Sequence, residues 1–222
     1  MPPKLKVFSN PDKPYRREHG HQPGFVSRIF AVGPPDSGKR SALLSIAANE
    51  PGGWDSVTCV HLHPETKEMD IMNDQKNYKM FGYHEDGIPG PEYFTSLGSG
   101  KHLLWLEELP FTMMNRMQKS ELDKTYNYTS THCGVTVYAC SQDFYCIPPS
   151  ARRSATHLLC FKSVQRHHNS MIGRSIGIDL NDLFDRFCPD RHDHLMIDFA
   201  SCDPDLLVRK NTYNPVKNVR RK

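Results

Sequence analysis

The residues with the clearest capacity for chemistry form a short loop that is bounded by two glycines and ends in a lysine. It reads GPPDSGK over residues 33–39 and fits the pattern G-x-x-x-x-G-K. Gly33 and Gly38 permit backbone angles that a side chain would forbid, so the loop's N–H groups can point inward at an anion. Lys39 adds a positive charge for the outer phosphates of a nucleotide. The pattern indicates a phosphate-binding loop, although a purely structural turn is the alternative.

The flanking segments supply the strand and the helix that such a loop requires. The apolar run over residues 29–32 predicts a buried strand, and apolar residues at helical spacing over residues 42–47 predict a helix. The start of that helix favours a bound anion. The predicted nucleotide-binding residues are Gly33, Pro34, Pro35, Asp36, Ser37, Gly38, Lys39, Arg40 and Ser41.

The residue after Lys39 departs from the pattern. It is normally Ser or Thr, whose hydroxyl holds Mg²⁺, and here it is Arg40. Ser41 follows one position late.

Two acidic residues follow a second apolar run, at residues 103–106. This arrangement is typical of a Walker B strand, in which one carboxylate helps to hold Mg²⁺ and the next polarises water for attack on the γ-phosphate. Glu107 is then the candidate Mg²⁺ ligand and Glu108 the candidate base. Two solvated acids after a strand are the alternative.

Two further candidates come later in the chain. Gln142 ends an apolar strand at residues 135–140 and could sense the γ-phosphate or orient water. Arg152 and Arg153 could supply an arginine finger, or they could be an ordinary surface pair. With the loop and the two acids, these side chains fall at or near the carboxyl ends of strands, where open parallel sheets place their sites.

Strands alternate with helices along the chain, which predicts an α/β fold with a mostly parallel sheet. Further strands are predicted at residues 57–62, 157–161 and 194–199, and helices at residues 91–97, 114–130 and 179–187, the last with Asp179 as its N-cap. His61 and His63 are predicted to lie at a solvated strand edge. An H-x-H metal pair is the alternative there.

Composition excludes several classes of protein. The chain has 222 residues, of which 24% are charged and 37% hydrophobic, as in a soluble globular domain. It contains no apolar run of 18 residues and begins with no apolar signal core, so we expect neither a membrane span nor secretion. Seven scattered cysteines favour reduced thiols in an intracellular protein. A zinc site from Cys188, His192, His194 and Cys202 is conceivable, but the spacing matches no common finger.

Charge and composition predict three regions: an extended basic, Pro-rich arm (1–24), a domain that contains the P-loop (25–208) and a basic C-terminal tail (209–222). The arm has five basic and two acidic residues, and the tail has six basic residues and no acid. Basic ends on an acidic body suit a nucleic acid or an acidic protein partner, and a contribution to solubility alone is the alternative.

The order of these motifs resembles the FtsK–HerA superfamily of DNA-pumping ATPases, and in particular its viral genome-packaging branch. The segment GVTVYACSQ at residues 134–142, followed by Ile147, Pro148 and Arg152, is similar to that branch. So are LLCFK at residues 158–162, HLMIDF at residues 194–199, and Arg209. That branch includes the poxvirus-type packaging ATPases and their relatives in other double-stranded DNA viruses and virus-like transposons. The resemblance covers about residues 25–212 of this chain.

The resemblance implies a RecA-like ATPase that assembles as a homo-oligomeric ring around double-stranded DNA. ATP and Mg²⁺ would be its ligands, and a capsid vertex or packaging proteins its further partners. Lys39 would bind phosphate, Glu108 would be the base, Gln142 the sensor and Arg152 the finger acting on a neighbouring subunit. It further implies an intracellular location, in host cytoplasm or nucleus, and presence in the virion.

Two alternatives stay open. In the family a hydroxyl and an Asp normally stand where this chain has Arg40 and Glu107, and these departures keep open a degenerate nucleotide-binding or structural subunit without efficient turnover. The other alternative is a P-loop kinase, whose lid and acceptor-pocket signatures are missing. Because residues 40 and 107 face each other in a P-loop fold, we hypothesise an ion pair between them. Arg40 pointing away, with Mg²⁺ held through Glu107 and water, is the competing arrangement.

Overall fold

The computed structural model describes residues 23, 26–63, 77–201, 206–217 and 219. The sheet within these residues has nine strands in the order β3-β2-β4-β5-β1-β6-β7-β8-β9. The first six strands in this order are mutually parallel, and β7, β8 and β9 are antiparallel additions. The predicted mostly parallel α/β fold is confirmed. The strands are β1 (Arg28–Val32), β2 (Ser56–His61), β3 (Tyr78–Gly82), β4 (His102–Glu107), β5 (Val135–Ser141), β6 (His157–Phe161), β7 (His194–Asp198), β8 (Val208–Lys210) and β9 (Asn214–Pro215).

Helices cover both faces of this sheet. None of those in the described ranges is long and apolar enough to cross a membrane. The helices are α1 (Lys39–Ala48), α2 (Pro91–Ser96), α3 (Arg116–Lys124), α4 (Ser130–His132), α5 (Pro149–Ser154), α6 (Arg166–Ile176) and α7 (Leu180–Phe187). A π-helical turn, Thr125–Thr129, joins α3 to α4, and a 3₁₀ turn, Phe144–Cys146, precedes α5.

Side chains along the central strands point alternately to the two faces of the sheet, so the hydrophobic core consists of two clusters. In β4, Leu103 and Trp105 pack with α1, whose Leu43 is fully buried. Leu104 and Leu106 belong to the cluster on the opposite face. Successive strand residues point to opposite faces, so Glu107 lies on the same face as Trp105 and α1.

The second cluster holds the helices on the far face. It contains Leu122 of α3, Tyr126 of the π-helical turn and Ala151 of α5, all fully buried. Tyr126 stacks on Phe30 of β1 with ring centroids 4.9 Å apart. Therefore α5 lies on the face of the sheet opposite α1.

The predicted helix over residues 114–130 begins two residues later than expected. Asn115 caps α3 through a reciprocal pair of bonds with Gln118, so the helical residues start at Arg116. Asp179 caps α7 as predicted, accepting a hydrogen bond from the N–H of Asp182.

The prediction of a solvated edge at His61 is wrong. β2 lies between β3 and β4, and His61 is 2% exposed. Its Nδ1 accepts a hydrogen bond of 2.6 Å from the N–H of His63. The strand β3, which the sequence did not predict, covers the edge on which the histidine was expected to lie.

The C-terminal tail cannot begin at residue 209, because Arg209 lies within β8. Arg209 is fully buried and pairs with Asp198 of β7, which also faces His157 at 3.3 Å. A carboxylate on the neighbouring strand allows the arginine to enter the core, since buried charges need partners. The remaining arm and tail boundaries stay predictions, because residues 1–22, 24–25, 218 and 220–222 lie outside the described ranges, as does Cys202.

Replacing Arg209 with alanine is expected to lower the free energy of unfolding by about 3–5 kcal/mol, because Asp198 loses a buried partner. Lys210→Ala is the matched control. Its ion pair with Asp193 (3.1 Å) is partly exposed, so we expect a loss below about 1 kcal/mol. Urea denaturation measures both. Equal losses in the two variants would contradict the buried position of Arg209.

Candidate nucleotide-binding site

The glycine-bounded loop connects β1 to α1 and is held tightly against β6. A Cβ atom on Gly33 would lie 2.5 Å from the Cβ of Phe161, so only glycine fits there. Gly38 has φ of 95° immediately before α1, and Asp36 has φ of 56°. These backbone conformations coil the loop around the start of the helix, as the sequence predicted.

The Ser37 hydroxyl is a buried polar group within the loop. Ser37 is 1% exposed, and its Oγ has no hydrogen-bond partner among the described residues. That oxygen lies 3.2 Å from the position of a Cβ on Gly33, so it faces the first glycine of the loop. Buried hydroxyls are normally bonded, so this one indicates a polar ligand such as a phosphate oxygen.

Lys39 is folded back across the same loop. Its Nζ donates hydrogen bonds to the carbonyl oxygens of Gly33 at 2.8 Å and Pro34 at 2.7 Å. Burial lowers the pKa of the lysine, although nearby acids including Glu107 and Glu108 act in the opposite direction. A phosphate group within the loop can take the place of the two carbonyls as acceptor for this amine.

Arg40 and Glu107 form the expected ion pair. The Nη2 and Nε of Arg40 lie 2.7 and 3.1 Å from Oε1 of Glu107. The other carboxylate oxygen, Oε2, accepts a bond of 2.6 Å from Nε1 of Trp105. The pair therefore bridges the first turn of α1 and the end of β4. The predicted ion pair between Arg40 and Glu107 is confirmed.

Neutral buried groups surround Glu107. Burial, reinforced by Glu107, raises the pKa of Cys59 to about 12 and that of Cys140 well above its usual value. Burial also lowers the pKa of His61, against the pull of Glu107 and Glu108. Thiols and an imidazole in this state bring no charge, so Arg40 is the cation in direct contact with the buried carboxylate, with Lys39 as a further positive charge nearby.

Glu108 lies in a strained conformation at the end of β4. Its φ is 52°, a left-handed value that costs a residue with a side chain about 1–3 kcal/mol and that concentrates at functional sites. The side chain is exposed, in contrast to Glu107. This geometry is compatible with a base that reaches a ligand in front of the sheet.

Gln142 follows the last residue of β5 and is exposed. β5 lies between β1 and β4, with Val32 opposite Ser141 and Leu106 opposite Ala139. The N–H of Gly33 donates to the carbonyl of Ser141 at 3.2 Å, which ties the loop to the end of β5. The structure therefore brings the loop, Glu107, Glu108 and Gln142 to one edge of the sheet.

Arg152 and Arg153 are not part of this cluster. They lie in α5, which packs on the face opposite α1. The guanidinium carbon of Arg152 lies 5.0 Å from the ring centroids of both Phe144 and Tyr145, and Arg153 is exposed. Arg152 is thus held by the aromatic residues that follow β5 rather than by the loop.

Sequence reasoning missed the turn before β7, which contacts the loop. A ring nitrogen of His192, Nδ1, lies 3.3 Å from the carbonyl oxygen of Ser37, and Arg191 donates to the carbonyl of Pro35 at 3.4 Å. These residues are more than 150 positions apart, so no local pattern indicates the contact. The role of Trp105 could have been predicted from its i, i+2 spacing to Glu107.

The side chains at the predicted metal position do not fit Mg²⁺. Mg²⁺ takes oxygen ligands, and Arg40 offers only N–H donors where a hydroxyl is needed. Both carboxylate oxygens of Glu107 are already engaged. Within the described ranges, no group of three or more His, Cys, Asp or Glu side chains is arranged to hold a metal ion.

No protein-family model matches the sequence, and a comparison with curated proteins finds no match. Solved structures do share the fold. The genome packaging NTPase B204 of Sulfolobus turreted icosahedral virus 2, in complex with AMPPCP, has a TM-score of 0.62 at 12% identity over 87% of this chain and 100% of its own.

Two other solved structures also share the fold of this chain. B204 described as the DNA-packaging ATPase of Sulfolobus turreted icosahedral virus has a TM-score of 0.60 at 13% identity, over 86% of this chain and 98% of its own. The pCW3 conjugation coupling protein TcpA has a TM-score of 0.56 at 10% identity, over 86% of this chain and 60% of its own. The chain therefore has the P-loop NTPase fold found in viral genome-packaging and conjugation ATPases.

Proposed function

We propose that this chain is an ATPase that uses hydrolysis to move double-stranded DNA into a viral capsid. The observation that carries the proposal is the loop between β1 and α1, with its lysine and a buried Ser37 hydroxyl that has no partner within the described part of the chain. The ends of β4 and β5, with Glu108 and Gln142, lie beside that loop. The shared fold of packaging ATPases supports the choice of activity.

The residues at this edge of the sheet have different roles in phosphoryl transfer. Lys39, the Ser37 hydroxyl and the loop N–H groups bind the phosphates, and Ser41 at the start of α1 lies near the α-phosphate. Glu108 accepts a proton from the attacking water. Gln142 orients that water and senses the γ-phosphate.

The position of α5 supports a ring. Arg152 lies in α5, which packs on the face opposite α1, and its guanidinium stacks on Phe144 and Tyr145, which suits a finger that reaches the nucleotide of a neighbouring subunit. In a homo-oligomeric ring, each nucleotide then lies between subunits and the DNA occupies the central channel. The further partners are a capsid vertex or packaging proteins, and the site of action is the interior of the infected cell and the virion.

The second candidate function is a nucleotide-binding or structural subunit with little turnover. The Arg40–Glu107 pair favours it, because the pair replaces the donors that normally hold the catalytic metal. Measured turnover distinguishes the two functions.

Hydrolysis of ATP by the purified chain, with and without duplex DNA, tests the proposal. We expect hydrolysis that duplex DNA stimulates, because translocation couples the two. A Glu108→Gln variant is the control and is expected to bind nucleotide without turnover. Hydrolysis at the level of that variant in both conditions would favour the subunit without turnover.

Charges beyond β9 are expected to contribute to DNA binding. Deleting residues from 213 onward would remove β9 and the buried Val216, so substitution is the cleaner test. Arg220→Gln with Arg221→Gln should reduce the slope of log K against log salt by at most about 2, since each phosphate contact contributes about 0.9. Arg174→Gln with Arg186→Gln is the charge-matched control in α6 and α7. Equal slopes in the two double variants would exclude a DNA role for this segment.

A further inference from the structure

The carboxylate that would hold Mg²⁺ is already bound to a cation of the protein. Arg40 contacts one oxygen of Glu107 through two of its nitrogens, at 2.7 and 3.1 Å, and Trp105 contacts the other oxygen at 2.6 Å. Glu107 is 2% exposed. This is a preorganised arrangement, because a planar guanidinium and an indole N–H are matched to one buried carboxylate.

Departure of Arg40 would leave Glu107 charged in an apolar setting. The indole N–H of Trp105 would remain on the other oxygen, and Lys39, which acts on Glu107 electrostatically, is bonded to the loop carbonyls instead. A carboxylate in that setting needs a compensating cation, which is either Arg40 or a metal ion that replaces it. The two cannot share the position, since both are positive and Arg40 has no lone pair to offer a metal.

Arg40 is also placed to act on a nucleotide. It follows Lys39 at the N-terminus of α1, where the helix dipole and the loop N–H groups favour phosphate. Lys39 and Arg40 together bring two positive charges to the position where most P-loop sites bring one lysine and a divalent metal ion.

We infer that this chain binds a nucleoside triphosphate without a requirement for divalent metal, with Arg40 serving as the fixed cation beside the phosphates. Glu107 and Trp105 hold the guanidinium in place, and the buried Ser37 hydroxyl supplies a further donor. The inference rests on the proposed function, because it deepens the role of the same nucleotide site.

The test is an equilibrium titration of the full chain with ATPγS, once in excess EDTA and once in millimolar Mg²⁺. We expect the two dissociation constants to agree within about threefold. The double variant Arg40→Thr with Glu107→Asp rebuilds the usual metal donors and should bind at least about tenfold more tightly with Mg²⁺ than with EDTA. Arg186→Thr, which removes a surface ion pair of α7, is the control and should behave as the parent.

The outcomes separate this inference from the proposed function. Binding by the parent chain only in Mg²⁺ would overturn the inference and leave the ATPase proposal standing. Absence of binding in both conditions would overturn both. The two dissociation constants of the parent chain are compared without any variant. Failure of the double variant to fold would therefore leave the test of the inference intact.

Discussion

Replacing Lys39 with alanine is expected to reduce ATP turnover by about 10²–10³-fold, the scale for losing one preorganised group that stabilises the transition state. The Nζ of Lys39 reaches across the loop to the carbonyls of Gly33 and Pro34, so it lies where the outer phosphates bind. Alanine removes the charge and leaves the loop backbone in place. Steady-state hydrolysis and nucleotide titration measure the two effects.

Lys101→Ala is the matched control for this variant. Lys101 is a lysine of similar exposure that pairs with Glu50 at 2.6 Å, near the start of β4 and away from the loop. Its removal should leave turnover within about twofold of the parent. Unchanged hydrolysis in Lys39→Ala would show that the loop does not bind the reacting phosphates.

Replacing Arg152 with alanine is expected to lower turnover by about 10³-fold while nucleotide affinity stays close to that of the parent. An arginine finger stabilises charge that develops in the transition state, so its loss affects turnover rather than binding. Arg152→Lys keeps the charge and much of the contact with Phe144 and Tyr145, and it controls for lost packing. Equal loss of affinity and turnover in Arg152→Ala would indicate a structural role.

Mixing variants tests whether Arg152 acts on a neighbouring subunit. Arg152→Ala subunits keep Glu108, and Glu108→Gln subunits keep Arg152, so a mixed ring contains some complete sites. We expect partial recovery of hydrolysis in the mixture. Absence of recovery at every mixing ratio would contradict a finger that acts between subunits.

The centre of the fold could be predicted because its signals are local. The apolar runs in β1, β4 and β5 are buried on both faces, and such strands stand out in sequence. The glycine spacing specified the loop between β1 and α1. The Arg40–Glu107 contact was predictable because a P-loop fold places those two positions face to face.

The elements that were missed depend on distant partners. β3 is a partly exposed edge strand, and α6 begins with Arg166, His167 and His168, which give no apolar periodicity. The burial of Arg209 depends on Asp198, eleven residues earlier on the neighbouring strand. The contact of His192 with the loop joins residues 155 positions apart. Tertiary packing decided each of these features, and single-sequence patterns do not report it.

The central claim is that this chain moves along duplex DNA. Displacement of a third strand from such a duplex tests it most directly. A triplex-forming oligonucleotide bound to a linear duplex is removed only by a motor that moves along the DNA. We predict displacement with ATP by the parent chain, and none with ATPγS or with the Lys39→Ala variant. Binding of duplex DNA and hydrolysis of ATP without any displacement would contradict the account of this chain as a DNA-translocating ATPase.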